Sequence, residues 1–147
     1  MNTKHKIMSV SGKASRINTD DAGDIKPGKR DNTWKATWKD GIEYEGEWVD
    51  NLPHGNGICQ YSNGDIYDGE WKDGERHGMG KCTTKNGTVY DGEWFKGQAC
   101  GKGIYNYLKG NIYSGEWKKS KNHGRGIMTY ANGDVYDGEW KKGKNHG

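Results

Sequence analysis

The sequence predicts an all-β protein: an elongated, single-layer antiparallel meander of stacked 23-residue β-hairpins. Three observations support this prediction. A block of aromatic residues and glycines recurs at one fixed spacing, its residues alternate as they do in a β-strand, and turn-forming dipeptides separate the blocks. A repeat this short cannot bury its apolar face alone, so neighbouring copies must stack on one another.

Tyr and Trp residues define the repeat, because each recurs every 23 positions from residue 44 onward. The unit has the form YxGEWxxxxxHGxGxxxxxxGxx. A fifth, shorter copy occupies residues 136–147, and a partial unit at residues 34–43 precedes the first. The four complete copies occupy residues 44–66, 67–89, 90–112 and 113–135.

Each unit predicts two strands. In "DIYDGEW" the residues Tyr67 and Trp71 point to one face, whereas Asp68 and Glu70 point to the other. A helix is disfavoured because so many glycines would destabilise its interior. The segment after "HGMG" at residues 77–80 predicts the second strand, which gives roughly ten strands at two per unit.

Asn-Gly dipeptides follow the second strand in most units, at Asn63–Gly64, Asn86–Gly87 and Asn132–Gly133. This dipeptide is typical of a type I′ turn, in which both central residues need a positive φ. We therefore expect type I′ hairpins at these positions. Lys109–Gly110 departs from the pattern, because Lys tolerates a positive φ less well than Asn does.

Residues 1–33 lack the repeat. They carry seven basic and four acidic residues, which predicts a disordered basic tail. The chain has no apolar run of the roughly 18 residues that a bilayer span needs. Its N-terminus has no apolar segment of a signal peptide, and its three Cys form no CxxC pair. These features predict a cytoplasmic protein, with a peripheral association with membrane or cytoskeleton left open.

Histidine and cysteine recur at one position of the unit, yet their spacing argues against a metal site. Equivalent positions of adjacent units are two strands apart, about 9–10 Å, whereas zinc ligands lie about 2 Å from the ion. The same spacing excludes a Cys59–Cys82 disulfide. The residues concerned are His54, His77, Cys100, His123 and His146.

A glutamate also recurs in each unit, as Glu47, Glu70, Glu93, Glu116 and Glu139. A catalytic carboxylate pair needs two different environments, and a regular array offers one environment that is copied. The motifs GxxxxGK[ST], GxSxG, HExxH and GxGxxG are absent. The sequence therefore predicts a non-enzymatic protein without catalytic residues, metal or cofactor.

The segments "YEGEW…HGNG", "YDGEW…HGMG", "YDGEW…CGKG", "YSGEW…HGRG" and "YDGEW…HG" resemble MORN (membrane occupation and recognition nexus) repeats. The resemblance covers residues 44–147 and implies a rod of stacked hairpins. It also implies a scaffold or adaptor for protein–protein interaction at membrane or cytoskeletal structures. Alternatively, it implies an anionic phospholipid-binding module, or an accessory region associated with a phosphatidylinositol phosphate kinase or a SET-type methyltransferase.

The first binding hypothesis is a protein scaffold with an unidentified protein partner. The aromatic ladder predicts a semi-apolar groove for a partner peptide. On the second strands, Tyr61, Tyr107 and Tyr130 are expected to remain open to solvent, with Thr84 interrupting their row. The ladder consists of Tyr44, Trp48, Tyr67, Trp71, Tyr90, Trp94, Tyr113, Trp117, Tyr136 and Trp140.

Two further hypotheses follow from uneven charge. Residues 44–66 carry four acidic residues and no Lys or Arg, whereas the last units are basic. An anionic membrane would therefore be recognised at the basic end. An unpaired last strand also predicts a homodimer through the C-terminal edge. The net charge of +3 argues against nucleic acid as a partner. The predicted headgroup residues are Lys118, Lys119, Lys121, Arg125, Lys141, Lys142 and Lys144.

Overall fold

The computed structural model describes residues 22–146 and confirms the predicted single-layer antiparallel meander. Twelve strands form one sheet in which spatial order follows chain order, and the described residues contain no helix. The strands are β1 Ala22–Pro27, β2 Trp34–Trp38, β3 Glu43–Val49, β4 Leu52–Gln60, β5 Ile66–Lys72, β6 Glu75–Thr83, β7 Val89–Phe95, β8 Gln98–Asn106, β9 Ile112–Lys118, β10 Lys121–Thr129, β11 Val135–Lys141 and β12 Lys144–His146.

Each complete repeat is one hairpin, with a strand of 7 residues followed by a strand of 9 residues. In β5 the buried residues Tyr67 and Trp71 alternate with the exposed residues Asp68 and Glu70. The predicted alternation is therefore confirmed. We call the side that carries Tyr67 the aromatic face and the opposite side the charged face.

The first strand corrects the prediction of a disordered tail over residues 1–33. Ala22–Pro27 pairs antiparallel with β2, with Ile25 opposite Ala36. The strand forms because β2 offers hydrogen-bonding groups that a flanking segment can pair. The repeat pattern gave no sign of it, since the register of β1 does not follow the 23-residue period. The rest of the predicted tail, residues 1–21, lies outside the described residues.

The prediction of type I′ turns at the Asn-Gly dipeptides is wrong. Only the glycine has a positive φ, for example 97° at Gly64. Gly64 N–H donates to the Tyr61 carbonyl at 3.0 Å, and Tyr61 N–H donates to the Asp65 carbonyl at 2.8 Å. This is a three-residue loop, a type I turn followed by a left-handed glycine. Lys109–Gly110 fits it as well, because only Gly110 needs the positive φ, which is 92°.

The type I′ turns lie at the other end of each hairpin. Asp73 and Gly74 have φ values of 51° and 84°, and Lys119 and Ser120 have φ values of 49° and 63°. Both central residues are left-handed, as this turn requires. We call the five turns of this row the hairpin tips, and they comprise residues 50–51, 73–74, 96–97, 119–120 and 142–143.

Candidate functional site

The repeated Tyr and Trp residues form a continuous ladder on the aromatic face. Tyr67 lies edge-to-face with Trp71 of its own repeat at 5.1 Å between ring centroids, and with Trp94 of the next repeat at 5.2 Å. The same arrangement joins Tyr90 to Trp94 and Trp117. Edge-to-face packing places the positive ring edge of one residue on the negative face of another.

Hydrogen bonds fix both kinds of ring. The Trp94 Nε1–H donates to the Gly80 carbonyl of the preceding repeat at 3.0 Å. The Tyr67 hydroxyl donates to the Glu70 carbonyl of its own repeat at 2.8 Å. Each Trp indole thus links its own repeat to the preceding one, whereas each Tyr hydroxyl bonds to a carbonyl of its own strand. A buried Trp or Tyr usually needs such a partner for its polar atom.

The glycines of the "HGxG" segment have two separate roles. A Cβ on Gly80 would overlap the ring and hydroxyl of Tyr67, which lies directly over this backbone. Gly78 has a φ of 64° and stands at a β-bulge, where the register shifts between Gly69 and Trp71. The first glycine therefore permits the bulge and the second accommodates the ring.

The repeated glutamate stabilises the bulge. Met79 N–H donates to Glu70 Oε2 at 3.0 Å, and Lys102 N–H donates to Glu93 Oε2 at 3.1 Å. The carboxylate supplies an acceptor to a backbone donor that the bulge leaves without a strand partner. The structure thus gives this glutamate a structural role, as its repetition in one environment predicts.

The predicted partner groove is not open along the ladder. Tyr44, Tyr67, Tyr90 and Tyr113 are buried, and so are Trp71, Trp94, Trp117 and Trp140. The rings cover one another and the glycine backbone, so these eight residues form the core. Only Trp48 and Tyr136, at the two ends of the ladder, are half-buried.

The second-strand tyrosines are likewise less open than expected. Tyr61 is buried, and the guanidinium of Arg76 lies 5.8 Å from its ring centroid. Tyr107 and Tyr130 are half-buried. At the position of Thr84 there is no such ring, and Tyr105 of β8 stacks on Tyr107 at 4.5 Å between centroids.

Burial raises the pKa of the four buried ladder tyrosines, since an ionised phenolate would lose its hydration. It raises the pKa of Tyr113 to about 12, with a further contribution from the nearby charge of Glu116. Burial raises the pKa values of Tyr44, Tyr67 and Tyr90 further. These four tyrosines are therefore uncharged at neutral pH.

The predicted headgroup residues are largely brought together by the structure. Five of them line a cavity of about 450 Å³ between the last two hairpins, together with His123. We call this cavity the basic cleft. No acidic side chain lies within 4 Å of its lysine nitrogens in residues 22–146. The five lysines are Lys118, Lys119, Lys121, Lys141 and Lys142.

Two predicted headgroup residues lie apart from the cleft. Arg125 extends from the charged face and contacts Asp137, with 3.4 Å between Nη2 and Oδ1. Lys144 is exposed on β12 and does not line the cavity. Conversely, His123 lines the cleft but was not among the predicted headgroup residues. Its place in the repeat, two residues after Lys121, was the available signal.

The backbone explains why the lysines converge. Lys118 and Lys121 are opposite each other in the β9–β10 ladder, so they flank the tip at residues 119–120. Adjacent hairpins are two strands apart, about 10 Å, and long lysine side chains reach into the space between them. At the first two hairpins the equivalent tip residues include Asp50 and Asp73. The same geometry therefore yields a basic cleft only where the tips carry lysine.

The histidine and cysteine positions do not converge. His54 lies 3.8 Å from a carboxylate oxygen of Asp73, and His77 packs against Phe95. Cys59 and Cys82 are buried thiols. No group of three or more potential metal ligands occurs in residues 22–146. Within the same range, no helix has the length and apolarity needed to cross a bilayer.

The family model described as MORN repeat matches residues 44–66, 67–89, 90–112, 113–135 and 136–147. The chain belongs to the MORN-repeat family. No curated protein matches it. A similar solved structure is the SAS-4 (dCPAP) TCP domain in complex with a proline-rich motif of Ana2 (dSTIL) of Drosophila melanogaster. The identity is 12%, the match covers 96% of this chain and 97% of that chain, and the TM-score of 0.24 is too low to support any argument.

Proposed function

We propose that this chain is a non-enzymatic MORN-repeat scaffold that binds the phosphorylated headgroup of an anionic phospholipid in the basic cleft. The proposal rests on the convergence of five lysines on one cavity of about 450 Å³. Lysine ammonium groups are strong phosphate-binding cations, and each basic residue near an anionic membrane contributes about 1 kcal/mol.

The open side of the cleft favours a headgroup over a buried small molecule. Three of its lysines, Lys118, Lys119 and Lys121, are exposed, so their charges can face a membrane surface. The chain would then lie at the cytoplasmic surface of a membrane, with the repeat rod holding the cleft at one end. A protein partner in the aromatic groove has less support, because the ladder residues that would line that groove are buried.

Flotation with liposomes tests this function. Vesicles of neutral lipid are compared with vesicles containing a phosphoinositide, at physiological salt. We expect binding to the second set only, and its loss at high salt because screening weakens exposed charge pairs. Soluble inositol trisphosphate, measured by calorimetry, separates recognition of the phosphate groups from recognition of a membrane surface.

A pair of matched variants locates the site. Lys119→Glu with Lys142→Glu reverses two charges in the cleft. Lys39→Glu with Lys109→Glu makes the same change in total charge at exposed turns on the opposite edge. The cleft variant is expected to lose roughly thirty-fold or more in affinity, about 1 kcal/mol for each lysine removed. Equal losses in both variants would reject the cleft as the site.

A further inference from the structure

An exposed aromatic ring flanks the third hairpin tip. Phe95 is the last residue of β7 and immediately precedes the tip at residues 96–97. It is 52% exposed and lies outside the buried core. It is also the single Phe of the chain. A phenyl ring in water is unfavourable, but single exposed rings are common, so the surroundings of Phe95 decide whether it has a binding role.

The repeat relates Phe95 directly to the basic cleft. Lys118 and Lys141, which both line the cleft, stand at the position of Phe95 in the next two units. Each of the three residues is the last of its strand, and each follows a Trp that points to the aromatic face. All three therefore project from the charged face at the tip edge of the sheet. Because adjacent units are two strands apart, the ring lies about 10 Å from Lys118.

The side chains that contact the ring are basic or neutral. The Lys96 ammonium nitrogen lies 5.4 Å from the centroid of the Phe95 ring, and the His77 ring packs against it at 5.6 Å between centroids. Glu93 lies two residues earlier on the same face, but its carboxylate accepts the Lys102 N–H at the bulge. The ring thus adjoins a cation, and the nearest carboxylate of its own strand is bound to the backbone.

The charge of the tip edge changes sign at Phe95. We call each tip with its two flanking residues a tip segment. The first two tip segments, residues 49–52 and 72–75, contain three acidic residues and one Lys. The last three contain seven Lys and no Asp or Glu, and they comprise residues 95–98, 118–121 and 141–144. The exposed ring therefore stands at the start of the basic part of this edge.

We infer that Phe95 inserts into the boundary between headgroups and acyl chains of the anionic membrane that the basic cleft binds. This inference rests on the proposed function and deepens it. Membrane-surface segments combine apolar rings, which enter this boundary, with lysines, which contact the headgroups. The flexible stem of Lys96 lets its ammonium group stay among the phosphates while the ring inserts.

Insertion distinguishes a bilayer from a soluble headgroup. A soluble inositol phosphate fills the cleft alone, whereas a bilayer engages the cleft and Phe95 together. The acidic tip segments at the other end of the edge are repelled by anionic lipid. The rod is therefore held by its last three tips, with the first two directed away from the membrane.

Fluorine NMR tests the insertion directly. Because residue 95 is the single Phe, growth with 4-fluorophenylalanine places one ¹⁹F label at this tip. The labelled full chain is mixed with nanodiscs of neutral lipid or with nanodiscs that contain a phosphoinositide. With the second set alone, we expect the ¹⁹F signal to be protected from a water-soluble paramagnetic agent and broadened by a spin label on the lipid acyl chain. A bound chain whose label stays fully open to the water-soluble agent would overturn the inference.

A matched pair of variants measures the contribution of the ring. Phe95→Ser should weaken binding to phosphoinositide vesicles about tenfold, because an apolar ring no longer leaves water. Its affinity for soluble inositol trisphosphate should stay unchanged. Val49→Ser is the control, since Val49 holds the same position in the first unit and is 51% exposed, but adjoins Asp50. It should leave both affinities unchanged. Circular dichroism checks that both variants are folded.

The outcomes separate this inference from the proposed function. Equal vesicle binding by Phe95→Ser and the native chain, or equal losses in both variants, would reject the insertion and leave the cleft in place. A loss of inositol trisphosphate binding in Phe95→Ser would make the ring part of the cleft, which also rejects insertion. If the native chain binds inositol trisphosphate but no vesicles, the insertion fails alone. If it binds neither, the proposed function fails as well.

Discussion

The aromatic face and the hairpin tips belong to the same repeats, yet they differ in which feature stays constant from one repeat to the next. On the aromatic face, Tyr44, Tyr67 and Tyr90 are each no more than 1% exposed, and their side chains make the same contacts in every repeat. At the tips only the backbone is constant, whereas the charge changes from Asp73 to Lys119. The ladder restricts side chains because it is the core, whereas the tips accept side chains of different charge on the same backbone.

The largest expected effect is a loss of stability of the aromatic face at alkaline pH. Burial raises the pKa of Tyr113 from 10.0 to about 12, and it also raises the pKa values of Tyr44 and Tyr67. The unfolded chain therefore loses tyrosine protons first as pH rises. The stability that comes from the neutral ladder is complete below pH 10 and is lost progressively between pH 10 and 12 and above.

Circular dichroism and tyrosinate absorbance, recorded over the same alkaline titration, check this expectation. The two signals should change together, because the buried tyrosines ionise when the sheet unfolds. Ionisation of every tyrosine near pH 10 with an intact sheet signal would contradict a buried ladder.

The next largest effect is expected from Gly80→Ala. The added Cβ would overlap Tyr67, and such overpacking costs up to about 3 kcal/mol of unfolding free energy. The control is Gly133→Ala, where φ is 96° but no atom lies within 4 Å of the added Cβ. There only the backbone penalty remains, about 1 kcal/mol. Urea unfolding of the two variants should rank them in this order, and equal losses would mean that the ring contact is unimportant.

Tyr67→Phe should have a moderate effect. The ring stays in the ladder, but the hydrogen bond from its hydroxyl to the Glu70 carbonyl, 2.8 Å long, is lost. We expect a loss of about 1 kcal/mol in unfolding free energy. Tyr130→Phe is the matched control, because that ring is half-buried outside the ladder. Thermal unfolding should distinguish the two, and a larger loss for Tyr130→Phe would contradict the assignment.

The smallest effect is expected at a tip, from Lys96→Asp. Lys96 has a φ of 48°, and aspartate occupies the equivalent positions Asp50 and Asp73 with φ values of 53° and 51°. The backbone should therefore accept the change with less than about 0.5 kcal/mol lost, which includes the contact of Lys96 with the Phe95 ring. A loss above about 1 kcal/mol in chemical unfolding would show that tip side chains also hold the fold.

Sequence alone was sufficient for the parts of the fold that repeat. The 23-residue spacing predicted the strands, and the alternation around Tyr67 and Trp71 predicted the aromatic face. The turns were misassigned because Asn-Gly is compatible with two loop geometries, and hydrogen bonds across Tyr61 and Asp65 decide between them. The sequence did not predict β1, because its pairing depends on the edge that β2 offers and not on the 23-residue repeat.

For the candidate sites, too, the sequence predicted the features that repeat and not those that depend on packing between repeats. Periodicity located the ladder but could not show that successive rings would cover one another, since burial depends on packing between repeats. Counting charges located the basic end, while the cleft depends on tips whose lysines converge from two hairpins.

Every boundary inside the array is closed by the same pair of atoms, a tryptophan Nε1–H and the carbonyl of a glycine in the preceding repeat, as Trp94 and Trp117 show. A gene duplication that inserts one more 23-residue unit would therefore meet a ready-made junction on both sides. Each insertion would lengthen the rod by two strands, about 10 Å. The number of units thus acts as a molecular ruler, because it sets the distance between the two ends of the sheet.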